Sequence, residues 1–342
     1  MKNQLATRDF INGLPKAELH LHLEGTLEPE LKLALAQKNG VDIGQTTIAE
    51  VQASYNFNSL ASFLAVYYPA MDVLQTEADF YQLAMAYLTK AHQENIRYTE
   101  LFFDPQAHMA RGIAFETVVN GFHRACVDAH AFNVDAHLIM CFLRDLSAES
   151  ARQLLETAKP YQAKILGIGL DSDEHHNPPL KFLREYGEAV AQGYRITMHA
   201  DIDQVDSIQH IQQALEIIRV ERLDHGTNIV ENPDLVDWVA QLKIGLTSCP
   251  LSNRLVADDM KDQEVLNLID HDVKVSINSD DPAYFGGYIN DNYEAIANAN
   301  QLTIDQVVTF AKNSFETAWI SDVQKATYLT EIDEYVENYL KD

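Results

Sequence analysis

Eight short apolar, strand-like runs recur along this chain, and a stretch long enough for an amphipathic helix separates each from the next. They cover residues 17–24, 98–103, 136–143, 165–170, 195–199, 222–225, 244–248 and 274–278. Strand patterns alternating with helical ones describe a parallel sheet with crossover helices. Eight repeats predict an α/β fold closed into a (β/α)8 barrel rather than an open sheet. The residues best suited to chemistry stand at or just beyond the carboxyl ends of these runs, where such a barrel builds its active site. They are His20 and His22, His199, His225, and the pair Asp280–Asp281.

The spacing of the runs is uneven. About seventy residues separate the first from the second, far more than one crossover helix needs. Within that gap, residues 60–68 and 80–91 repeat their apolar positions at helical spacing. The gap therefore reads as a helical insertion, at about 28–95, lying over the barrel mouth. Residues 289–342 read as helices with acidic faces that complete the outer ring. With no internal repeat, low-complexity tract or Gly/Pro/Ser-rich linker in view, residues 1–342 read as one domain.

Charge limits the function. The chain carries 51 acids against 25 Lys and Arg, a net charge of −26, which repels a phosphate backbone and argues against nucleic acid as a partner. No apolar run reaches the length of a membrane span, and the first fifteen residues lack the apolar core of a signal peptide. Cys126, Cys141 and Cys249 are scattered, without C-x-x-C spacing, as in a reduced cytoplasmic protein. Oligomeric state is not legible from these residues.

His20 and His22 stand one residue apart, so on an extended strand both imidazoles face one side. Together with His199 and a carboxylate from Asp280 they form a nitrogen and oxygen donor set suited to one zinc that keeps a water. Such a water has its pKa lowered towards about 7, which provides hydroxide at neutral pH. His225, ending the sixth run, is placed to orient or deprotonate it. Neighbouring side chains diverge at a strand end, so Asp280 can bind metal while Asp281 addresses substrate or the water. Other enzyme classes fit less well. Cys249-Pro250 is not the Pro-Cys-x-x-Cys of the cytidine-type zinc deaminases, and neither a phosphate-binding Gly loop nor a G-x-S-x-G elbow is present.

The segments L-P-K-A-E-L-H-L-H-L-E-G, H-A after the fifth run, L-D-H-G, T-S-C-P-L-S-N and N-S-D-D-P-A-Y-F-G-G-Y resemble, in collinear order, the adenosine and adenine deaminases of the amidohydrolase superfamily. L-F-F-D-P-Q and G-I-G-L-D-S-D-E are more similar to the adenine deaminases. The resemblance covers residues from about 14 to about 315. It implies one zinc on His20, His22, His199 and Asp280, His225 beside the attacking water, and Asp281 bonded to purine N7. It also implies that Glu24, Asp171 and Ser172 line the base pocket. The activity implied is hydrolytic deamination at C6 of a purine, with a free base as substrate.

One position departs from the pattern. The family continues His-Ala-Gly-Glu, and that Glu protonates N1; here the residues are His199-Ala200-Asp201-Ile202. Isoleucine cannot donate a proton. Asp203, with Asp201 second, is the expected substitute, although each is one methylene shorter than Glu. The departure opens three alternatives: an adenine substituted on its exocyclic nitrogen, a different heterocycle, or a purine-binding protein without activity. His175 and His176, in the loop after the fourth run, could add donors or simply face solvent.

Overall fold

In a computed structural model, which describes residues 4–200 and 204–341, the eight runs form one parallel sheet in the order β1 to β8. The strands are β1 Lys16–Glu18, β2 Ile96–Phe103, β3 Asp135–Leu143, β4 Gly167–Asp171, β5 Arg195–Ala200, β6 Arg222–His225, β7 Gly245–Ser248 and β8 Lys274–Ile277. Helices cover their outer faces, which is why these strands read as nearly unbroken apolar stretches. The sheet is the nearly closed (β/α)8 barrel that the sequence implied, with added helices.

The first strand is shorter than residues 17–24. Regular pairing with β2 ends at Glu18, and the histidine segment beyond it is extended chain pinned by isolated bridges, Leu21 to Asp280 and His22 to Phe102. Its backbone bonds are nonetheless made: His22 N–H donates to Asp280 O (3.0 Å), Asp280 N–H to His20 O (3.1 Å) and Leu23 N–H to Phe102 O (2.9 Å). Apolar alternation runs on to Leu23, but the alternation cannot report where a neighbour's ladder stops.

Side chains add to the two backbone bonds between the histidine segment and Asp280 in closing the seam between β8 and β1. Leu19 N–H donates to Asn278 Oδ1 (2.8 Å). From outside, the helix Ile304–Glu316 spans both strands: Asn313 Nδ2 donates to Val275 O (3.0 Å), and Ser314 Oγ accepts from Ala17 N–H (3.0 Å). Thr303 and Gln306 form a capping box at the start of that helix, satisfying donors that would otherwise be orphaned.

The insertion supplies Pro29–Asn39, Ile48–Ser54, Leu60–Ala70 and Glu77–Gln93. Leu60–Ala70 lies over the mouth. Its Phe63 packs against Phe285 (ring centroids 4.8 Å apart) and Tyr284 (5.6 Å), next to the end of β8. Glu77–Gln93 does not cover the mouth, contrary to the reading of residues 80–91. It belongs to the outer ring, where Phe80 meets Phe122 of the helix Phe115–Ala129 (5.2 Å) and Tyr87 O–H donates to Glu18 Oε2 (2.6 Å). Helical spacing establishes that a face is buried, and both sites bury one.

Inside the barrel, below the strand ends, Arg222 and Glu100 form a fully buried ion pair, and the guanidinium stacks on Trp319 (4.4 Å). Gly167 on β4 makes room for that indole, since a Cβ there would lie 2.6 Å from Trp319.

Candidate active site

Four strand ends deliver the imidazoles and carboxylate to one point. His20 and His22 follow β1, His199 lies in β5, His225 ends β6, and Asp280 follows β8. His20 Nε2 is 3.2 Å from Asp280 Oδ1, His22 Nε2 is 3.4 Å from the same oxygen, and His22 Nε2 faces His199 Nε2 at 3.1 Å. His225 Nε2 lies 3.8 Å from Asp280 Oδ2. Donor atoms of His20, His199, His225 and Asp280 all lie within 4.8 Å of one another, and His22 joins Asp280 and Asp281 within the same span. The five groups form a single candidate centre.

Backbone conformation helps to aim them. His225 (φ 57°), Asp280 (φ 64°) and Ser172 (φ 72°) all adopt left-handed backbone directly at strand ends. Each such residue costs about 1 kcal/mol or more, and such conformations cluster where function requires them. Gly25 is required for a different reason: a Cβ there would collide with the Asp281 carboxylate.

Three of the imidazoles are held neutral. Burial pushes His22 and His225 down to about 4, and it pushes His199 well below the ordinary histidine range. Neutral rings keep a lone pair for a metal. His20 is oriented by a short relay: its Nδ1–H donates to Thr247 Oγ1 (2.8 Å), whose hydroxyl donates to Asp224 Oδ1 (3.3 Å). That tautomer leaves His20 Nε2 as an acceptor with no hydrogen-bond partner, facing Asp280. In the tautomers that metal binding needs, the Nε2 lone pairs of His22 and His199 would face each other at 3.1 Å, with an unpartnered third nitrogen beside a carboxylate. A divalent cation resolves the conflict, and the borderline N/O donor set fits one Zn2+.

Above these donors lies a cavity whose empty space, its opening to solvent included, is about 570 Å³. His22, His199, His225, Asp280, Asp281, Asp171 and Ser172 line it, joined by Asp104, Ser252 and Asn253 and roofed by Phe63, Tyr67 and Tyr68 of the Leu60–Ala70 helix. None of the described residues lining it is Lys or Arg. Asp171, at the end of β4, is raised to about 7 by burial, and one of its oxygens lies 3.5 Å from His22 Nδ1. Burial also raises Asp281 well above the carboxylate range, with Asp280 adding to the effect.

Glu24 stands elsewhere than its resemblance-based role implied. It is not part of the cavity wall but sits one layer behind it. Its Oε1 accepts from Asp104 N–H (3.1 Å) and His108 Nε2–H (2.9 Å), and His108 Nδ1 accepts in turn from Arg111 (2.8 Å). His175 and His176 are exposed loop residues outside the cavity, with His175 bonded to Asp173 (2.8 Å). Asp201, Ile202 and Asp203 lie outside the described residues.

The sequence reading passed over Asp104, Thr247 and Arg144. Asp104 directly follows β2, so the rule that singled out His225 would have found it. Arg144 is fully buried behind the site and donates from Nη1 to His199 O (3.0 Å) while lying 3.4 Å from Glu174. No sequence signal marks that distant partnership.

Comparison with known proteins agrees with this geometry. The adenosine deaminase family profile matches residues 15–335. An uncharacterized deaminase of Schizosaccharomyces pombe is 47% identical over 332 residues, covering 96% of this chain and 98% of that protein. The crystal structure of an adenine deaminase from Arthrobacter aurescens superposes with a TM-score of 0.91 at 42% identity, over 95% of this chain and 99% of that one. An amidohydrolase from Burkholderia ambifaria with bound Zn gives 0.87 at 28% identity, over 100% and 99%. A barrel of this order, these donors at its carboxyl rim and a profile match over nearly its whole length make the chain a member of the adenosine deaminase family of the amidohydrolase superfamily.

Proposed function

We propose that this chain is a zinc-dependent aminohydrolase that removes the amino substituent from C6 of a free 6-aminopurine base, adenine or an N6-substituted adenine. Water is consumed, the purine is left with a C6 oxygen, and ammonia or the amine departs. The observation that carries this reading is the convergence of three imidazoles and Asp280 at the floor of a cavity walled by Asp281, Asp171 and Ser172. The likeness to adenine deaminases at 42% identity supports a purine base. A cavity lining with aspartates and no Lys or Arg gives no purchase to a phosphate, which favours a base over a nucleotide. The three buried thiols and the acidic surface are in keeping with the cytoplasm, and the described residues contain no helix long and apolar enough to cross a membrane.

A zinc held by His20, His22, His199 and Asp280 would polarise water so that it becomes a nucleophile near neutral pH. His225, which lines the cavity 3.8 Å from Asp280, orients that water and takes up its proton. Asp281 hydrogen-bonds N7 and holds the ring with C6 towards the imidazoles. As C6 becomes tetrahedral, N1 must gain a proton; we assign the donor to Asp203, with Asp201 second. Ser172 and Asp171 complete the wall around the base.

The test is to incubate the zinc-loaded protein with adenine and a panel of N6-substituted adenines and to follow conversion to hypoxanthine by ultraviolet absorbance. Turnover of at least one member is expected. Asp203→Asn and Asp201→Asn separate the two donors, and undiminished turnover in both variants would remove them from the mechanism. Ile202 favours a second reading, deamination of another heterocycle that needs protonation elsewhere; a zinc-replete protein inert to the whole panel would point to it.

A further inference from the structure

A free purine base differs from its nucleoside at one ring nitrogen, which carries a hydrogen in the base and a sugar in the nucleoside. An enzyme for free bases gains selectivity by placing a hydrogen-bond acceptor opposite that N–H, because the substituted analogue then leaves the buried acceptor unpaired. Besides Asp280, three buried carboxylates line this cavity, Asp281, Asp104 and Asp171, and a fourth, Glu24, contacts the Asp104 backbone. Three of these four have other work. Asp281 is assigned to N7. Glu24 is absent from the cavity lining, and its Oε1 is taken by His108 and the Asp104 backbone. Asp171 stands 3.5 Å from Nδ1 of His22, and its carboxyl group also meets that of Asp104.

Asp104 remains. It is 1% exposed, lines the cavity, and its Oδ1 has no hydrogen-bond partner. Its side chain does not cap the short helix that follows, so no local structural role consumes it. Its backbone, in contrast, is anchored: Asp104 N–H is tied to Glu24, which His108 and Arg111 hold from behind. A buried acceptor oxygen on a fixed backbone, lining a cavity and left without a protein donor while the rest of its carboxyl group meets Asp171, is what recognition of a ring N–H requires. We propose that Asp104 accepts the five-membered-ring N–H of the substrate and so makes the site selective for free bases over N9-substituted purines. This rests on the purine-base reading given above.

The experiment compares kcat/KM for adenine with 9-methyladenine, and for N6-methyladenine with N6,9-dimethyladenine, in the zinc-loaded wild type, Asp104→Ala and Asp104→Asn. The wild type is expected to prefer the unmethylated ring nitrogen by about 100-fold or more, and Asp104→Ala is expected to shrink that preference at least about 10-fold. Asp104→Asn keeps an acceptor oxygen in place and is expected to retain most of the preference. Each ratio is taken within one preparation, so partial misfolding cancels. A variant that loses both substrates of a pair by the same factor would show Asp104 to be merely structural and overturn the proposal. If the wild type converts neither pair, the purine reading itself has failed, and the assignment of Asp104 with it.

Discussion

Two buried charged clusters lie along the barrel axis, and they are satisfied in opposite ways. The lower one contains its own cation. Arg222 pairs with Glu100 and stacks on Trp319, while Glu100 Oε1 also accepts from Tyr98 O–H (2.9 Å) and Trp319 N–H (2.7 Å). Asp224 accepts from Thr197 (2.7 Å) and Thr247 (3.3 Å). The upper cluster is made of imidazoles and carboxylates, without a permanent cation among the groups that converge there. Its imidazole nitrogens converge on one another and on Asp280, and His20 Nε2 has no hydrogen-bond partner. A buried group must be paired within the protein or by something bound, so the lower cluster reads as structure and the upper one as a metal centre. Thr247, bonded to both Asp224 and His20, joins the two.

The contrast breaks most sharply if a ligand can be dispensed with. Replacing Asp280→Ala or His199→Ala is expected to lower kcat/KM by about 10⁴-fold or more and zinc content from one per chain to a small fraction, because each removes a proposed ligand. Metal analysis beside the ultraviolet assay checks this; a variant that keeps both zinc and turnover would dissolve the distinction. Arg222→Met should behave in the reverse manner. It leaves Glu100 buried without its cation and is expected to cost about 3–5 kcal/mol in denaturant unfolding, while the folded fraction still binds one zinc. Zinc loss equal to that of the ligand variants would mean that the clusters are one unit.

Thr247→Val probes the link. Removing the hydroxyl that fixes the His20 tautomer is expected to weaken zinc binding about 10- to 100-fold, measured by competition with a chelator, with a smaller effect on unfolding. The smallest effect concerns Lys16, a second buried cation, whose Nζ donates to Ile11 O (2.8 Å) and Leu14 O (2.7 Å). Burial lowers it to about 7 from its ordinary 10.5. The unfolded chain then holds the proton more tightly, so between about pH 7 and pH 10.5 this group makes stability rise with pH. Lys16→Met is expected to remove roughly 1–2 kcal/mol of the rise between about pH 7.5 and pH 9, read from urea midpoints. Arg222, which stays charged throughout, contributes no such slope.

Much of the barrel could be read in advance because a strand's composition and its crossover helix are local properties. Runs 98–103, 136–143 and 222–225 lie within or match the observed strands. The misplacement of residues 80–91 has the same origin: helical spacing says that a face is buried, not against what. The first run was extended to residue 24 because Leu19, Leu21 and Leu23 continue an alternation that the sheet no longer uses for pairing. The histidines kept their common direction there because extended chain has the same two-residue period whether or not a ladder accompanies it.

What the chain order alone determined was which groups end the strands and which way adjacent ones face: His20 with His22, and Asp280 apart from Asp281. Barrel closure decided the rest. It set His22 Nε2 at 3.1 Å from His199 Nε2, across 177 positions of sequence, and it turned Asp104 into the cavity while Glu24 went behind it. Backbone geometry propagates a side chain's direction along one strand, whereas the distance between strands depends on how all eight pack around a common axis.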